Sequence, residues 1–142
     1  FVIMKRISFL ILLSLLSFSA ISQEHSAGVQ KDIDPRIVEV FGDQLERLVL
    51  NDKDRLESLN KLLQQRVKIV IEPYATGESY KKLSEVKLFD KYNKDLKRDQ
   101  EFNLETFNVL KYDLYFFSQS IRVYRIDNTD YIIKVLSENL KE

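Results

Sequence analysis

The side chains that carry most enzymatic chemistry are scarce in this chain. It has one histidine, His25, and no cysteine. A Ser-His-Asp or Cys-His arrangement would have to recruit His25, which sits in a polar stretch without periodicity. Zinc sites draw on Cys and His in numbers this sequence does not hold. Three glycines in all are too few for a phosphate-cradling loop of the usual pattern. No cofactor and no metal is expected on these grounds. What remains is 22 acidic residues, 22 Lys and Arg, and seven tyrosines. Two carboxylates facing a cleft could do the acid–base work of a glycosidase, but spacing in sequence does not report separation in space. Asp127-Asn128-Thr129-Asp130 has the acidic look of a calcium loop, yet it lacks the Gly and the downstream Glu of that motif. A turn explains it.

Tyrosine offers a second kind of chemistry. It joins apolar area to a hydroxyl and is enriched where proteins bind one another, and exposed aromatic rings also line sugar-binding surfaces. Tyr115, Tyr124 and Tyr131 fall in strand-like stretches near the end of the chain, with Arg125 among them. These four are the candidate binding residues. Aromatic residues at a spacing of two also fill sheet cores, so each has a core reading beside the binding one.

The elements that must position them begin late. Lys5-Arg6 followed by the apolar run Ile7 to Phe18 reads as an export signal, with Met4 as the expected start. Ala20-Ile21-Ser22 puts small residues where cleavage would leave Gln23 first. The run is short for a membrane span, which takes ~20 residues, and serines interrupt it. Residues 1–22 are thus expected to be removed and 23–33 to be a flexible leader. The signal holds two bases and no acids, so the remainder carries 20 bases against 22 acids, a net −2. That balance gives no electrostatic reason to expect nucleic acid or an anionic membrane as partner. With no cysteine to form disulfides or take a lipid, stability has to come from an apolar core.

Residues 34–142 read as a single α+β domain. Asp34-Pro35 is a helix start, Asp as cap and Pro as first residue. Ile37, Phe41, Leu45, Leu48 and Val49 then share one helical face, widened by Val38 and Val40. Asp52 caps a second helix, Lys53 to Gln65, with a stripe of Leu56, Leu59, Leu62 and Leu63. The two make an N-terminal helical hairpin. Val67 to Glu72 changes period from 3.6 to 2 and stops at Pro73, as a strand does. Residues 73–111 hold Pro, Gly and many charges, and short helical turns are expected there. Val86, Leu88, Phe89 and Tyr92 are its apolar footholds. Phe102-Asn103 and Phe107-Asn108 predict turns in which Asn bonds its own backbone while Phe packs inward.

The helical pair is expected to pack on a small, mostly antiparallel sheet built from residues 67–72, 113–117, 121–126 and 129–136. The last two form a C-terminal β-hairpin. A two-residue turn at Asp127-Asn128 would set Arg125 opposite Asp130 and Tyr124 opposite Tyr131, an ion pair and an aromatic pair. A loop centred on Asn128-Thr129 would instead oppose Asp127 and Asp130. In the first register Arg122, Tyr124, Ile126, Tyr131 and Ile133 share the core face. Ile121, Val123, Arg125, Asp130, Ile132 and Lys134 share a half-covered face, with Arg125 exposed.

The runs FNVLKYDLYFF and RVYRIDNTDYIIKV, with LERLVLNDKDRLESLNKLLQQRVKIV, resemble a group of small exported proteins of Bacteroidota. The resemblance covers most of the chain after the signal. It implies a Gram-negative exported setting and carries no activity and no site residue. Two functions follow as expectations. The leading one is a periplasmic or secreted, non-catalytic interaction module that meets another envelope or secreted protein through a sheet edge. The alternative is a small cell-envelope carbohydrate-active enzyme or glycan binder that uses carboxylates and exposed tyrosines.

Overall fold

Asp34 accepts the Arg36 N–H at 2.9 Å and Pro35 follows, so the first helix, α1 (Pro35–Phe41), starts where the cap chemistry places it. The computed structural model describes residues 33–73 and 79–139, and from Asp34 onward these belong to one compact unit. The expected signal segment, His25 and Tyr74 lie outside the described residues, as does the leader apart from Ile33. Gly42 takes a φ of +48° and interrupts the helix. That backbone is the one glycine adopts without strain; Asn93 packs beside it and its amide donates to the Glu39 carbonyl at 2.8 Å. A 3-10 turn and a π turn, Glu46–Leu50, carry the helical path on to Asn51.

Asp52 caps the second helix, α2 (Lys53–Lys61), by accepting the Arg55 N–H at 3.1 Å. This helix also widens into a π turn, Leu62–Arg66, before the chain straightens into β1 (Val67–Ile71). β2 (Lys81–Lys82) is two residues long. β3 (Arg122–Arg125) and β4 (Tyr131–Val135) close the hairpin. The sheet runs in the order β1-β4-β3-β2, antiparallel except for the parallel β2–β3 contact. The fold is α+β, with helices first and a mostly antiparallel four-stranded sheet ending in the β3–β4 hairpin.

Ile37, Val40, Phe41 and Val49 from the helical half are buried core residues, and so are Ile132, Ile133 and Val135 from the hairpin. Much of the rest comes from residues 83–114, where Leu83, Val86, Leu96, Phe107, Val109, Leu110, Tyr112 and Leu114 are buried without long regular structure. Short 3-10 turns at Leu83–Glu85 and Val109–Lys111, and a single bridge between Leu88 and Tyr112, organise this stretch. Asn103 and Asn108 accept the N–H two residues on, at 2.9 and 3.0 Å, and Phe107 packs inward, as the paired Phe-Asn motif predicts. Asn108 is buried as well and donates to the Arg36 carbonyl and the Glu39 carboxylate. Lys111 beside it reaches Asp99 at 2.6 Å and Glu39 at 3.4 Å. This network ties α1 to the Val109–Lys111 turn.

Three expectations are corrected. Residues 113–117 are not a strand. Tyr115 adopts a φ of +53°, which reverses the pleat, and a turn closed by Ser118 N–H to Tyr115 O at 2.9 Å follows. The short β2 joins the sheet instead. The hairpin register is the rejected one: Tyr124 pairs with Ile133 and Arg125 with Ile132, so the loop centres on Asn128-Thr129. The expected like-charge conflict is avoided because Asp127 turns away to accept the Ser84 N–H and hydroxyl at 2.8 and 2.6 Å. Asn128 supplies the positive φ, +57°. The slip is two residues, so every side chain keeps its predicted face. Arg125, however, is not exposed. It is 3% exposed, donates to the Glu72 carbonyl and stacks over the Tyr80 ring at 5.6 Å.

Candidate functional site

A cleft of about 530 Å³ lies between the helical half and the segment that precedes β3. Helical spacing builds its first wall. Val40 and Phe41 end α1, and Arg55, Ser58, Leu59 and Leu62 lie at steps of three and four along α2 and the π turn. The opposite wall is Leu110, Tyr112, Asp113 and the turn Tyr115 to Ser118, with Phe89 and Arg122 beside it. The lining is chiefly aliphatic and aromatic.

The turn is held from below. Buried Tyr124 donates its hydroxyl to the Leu114 carbonyl at 2.9 Å. Buried Arg66, aimed inward by the π turn, donates to the carbonyls of Phe116 and Leu136. The backbone at 114 and 116 is anchored, with the left-handed Tyr115 between, and the side chains of Tyr115 and Phe117 are exposed. Phe117 is 78% exposed, Tyr115 60% and the nearby Ile121 48%. Tyr115 and Phe117 thus stand exposed on one turn beside the cleft.

Two guanidiniums border this apolar space. Arg55 lies over the rings of Phe41 and Tyr92, 5.4 and 5.6 Å from their centroids, and donates to the Tyr92 hydroxyl at 3.2 Å. That hydrogen bond holds the Tyr92 phenol below its usual pKa. Arg122 donates its Nε–H to the Ser118 hydroxyl at 3.0 Å. Asp113 is the single carboxylate in the lining.

A smaller hollow of about 330 Å³ shares Tyr112 with the first in its lining, and it contains two acids, Asp99 and Asp127, near Phe102 and Phe107. This is the arrangement a carboxylate-pair mechanism would use, but both acids are engaged. Asp99 accepts from Lys111 and from the Tyr112 hydroxyl at 3.1 Å. Asp127 is held by Ser84; burial pushes its pKa up, and the hydrogen bonds from the Ser84 hydroxyl and N–H outweigh burial and leave it lowered. A carboxyl kept ionised in this way is not a general acid near neutral pH. Among the described residues no group of three or more His, Asp or Glu could hold a metal ion.

Of the candidate binding residues, the structure brings only Tyr115 to the large cleft. Tyr124 is buried beneath the turn and positions it. Arg125 is buried on the other face of β3. Tyr131 is half-buried against Phe102, ring centres 5.0 Å apart. Sequence reasoning passed over Arg55, Arg122 and Phe117. Arg55 carried a legible signal, since it stands four and seven residues before Leu59 and Leu62 and so falls on the apolar stripe. No family model, curated protein or solved structure matches the chain. The cleft's chemistry therefore has to be argued from its own side chains.

Proposed function

We propose that this chain is an exported, non-catalytic binding module whose cleft takes an apolar ligand. The observation that carries this reading is the turn Tyr115 to Ser118: a strained, anchored segment that presents Tyr115 and Phe117 to solvent beside a pre-formed apolar hollow. Folding spends backbone strain of about 1–2 kcal/mol on a left-handed Tyr, and such outliers persist where the surrounding structure enforces them, often at ligand clamps. The cleft volume lies within the roughly 300–1,000 Å³ of ordinary ligand sites. Export rests on the Lys5 to Ser22 pattern, and N-terminal sequencing of protein from its host should begin at Gln23.

An apolar fluorescent dye tests the cleft. The native full chain should bind it, and Ser58→Trp, at an exposed helix position facing the hollow, should weaken binding at least ~10-fold without lowering the unfolding midpoint. Dye binding that is absent, or unchanged in Ser58→Trp, overturns the reading. The glycan-binding alternative predicts signal on a glycan array, where the apolar lining predicts none. A partner strand is a second reading, favoured by β1, a five-residue edge strand whose Ile71 is 65% exposed. It predicts that Lys68→Pro abolishes capture of an envelope protein while dye binding persists.

A further inference from the structure

We propose that the occupant of the large cleft is a single-chain amphiphile with a carboxylate head, its chain on the apolar lining and its head at Arg55 and Arg122. This rests on the cleft reading above and adds the chemistry of the ligand.

The two arginines differ from the others that touch buried parts of the molecule. Arg66 is used by two backbone carbonyls, Arg98 by the carbonyls of Leu83 and Val86, and Arg36 by Asp34 at 2.7 Å. Arg55 and Arg122 each make one side-chain hydrogen bond, to a neutral hydroxyl, and neither lies within ion-pair distance of a carboxylate among the described residues. A guanidinium offers five N–H donors in a planar fork that matches a carboxylate. Asp113 offsets one of the two charges and is itself exposed, so the lining keeps a net positive charge.

Other occupants fit less well. A cationic head would meet two guanidiniums in the lining against one carboxylate, and Arg55 already lies over the Phe41 ring. A sugar would bring hydroxyls to a lining with few polar groups to meet them. An extended peptide binds by pairing with a strand edge, and no lining residue belongs to β1 or β2, the two edge strands.

Calorimetric titration of the full chain with dodecanoate, dodecanol and dodecyltrimethylammonium, each below its aggregation concentration, decides the matter. Dodecanoate should bind at least ~10-fold tighter than dodecanol, with the cation weakest, and raised salt should narrow the gap. Arg122→Gln should weaken dodecanoate about 10-fold and dodecanol less than about 2-fold. Arg55→Gln should act in the same direction. Equal binding of all three probes, or a preference for the cation, overturns the carboxylate head and leaves the apolar cleft standing. Dodecanoate selectivity that survives both substitutions overturns the arginine assignment. Failure of every probe to bind, in a chain that also ignores the apolar dye, removes the cleft reading itself.

Discussion

Depth decides what Arg125 does. On an exposed face its loss would cost at most ~1 kcal/mol, as for a surface ion pair. Buried, donating to the Glu72 carbonyl and stacked on Tyr80, it should cost about 1.5–3 kcal/mol when cut to Ala. Ile133, with no exposure at all, should cost about 2–5 kcal/mol as Ile133→Ala. Urea midpoints of the two variants measure both. Tyr115 is the opposite case. Tyr115→Gly removes the positive-φ strain while loosening the unfolded chain, so stability should change by less than about 1 kcal/mol. Ligand affinity should still fall, because the ring is lost from the cleft wall. An unchanged dissociation constant would separate the strain from binding.

At the scale of elements, periodicity was a good guide and register was not. Both helices start at the Asp caps that composition indicates, and β1 ends one residue before the expected boundary. The π turns that end the helical stretches had no signature, yet one of them delivers Arg66 to the Tyr115 turn. Cross-strand pairs and the turn chemistry of Asp127-Asn128 point to the other hairpin register. The observed register leaves Asp127 to Ser84, distant in sequence, whose two hydrogen bonds to it nothing in the local pattern reveals. Likewise Asp113 to Phe117 is apolar enough for a strand, and only its tertiary anchors at Leu114 and Phe116 make it a turn. Arg66→Met should therefore act twice. We expect a loss of about 2–3 kcal/mol in stability and, separately, weaker ligand binding as the wall loosens. Nuclear Overhauser contacts across Tyr124–Ile133 check the register.

For the whole molecule, proton binding sets two edges of stability. Asp34, beside Arg36, and Glu72, which accepts from the Tyr80 hydroxyl and meets Lys134, have lowered carboxyl pKa values, as does Asp127. Their contribution is complete above the ordinary carboxylate range of about 4 and is lost as pH falls through the lowered folded values. Burial pushes the Tyr112 phenol up to about 12. Its contribution holds below the ordinary phenol value of about 10 and is lost as pH rises through the folded one. Urea midpoints should be flat between these edges, Asp127→Asn should flatten the acid one, and Tyr112→Phe the alkaline one. Among the described residues no helix is long and apolar enough to cross a membrane.

The order of the sheet has a kinetic consequence. β1 has a single strand neighbour, and that neighbour is β4, so Val67 must find Val135 before either can be covered. α1 likewise waits for the Val109–Lys111 turn. Contacts between such distant parts of a chain make folding slow, in the range of roughly milliseconds to seconds. A chain still lacking Tyr131–Val135 has a β-branched strand with nothing to pair, and it should stay unfolded and open to protease. Stopped-flow refolding should show a single phase in that time range, and truncation before Tyr131 should abolish it. Until β4 is present the four-stranded sheet cannot close, so folding waits on that strand.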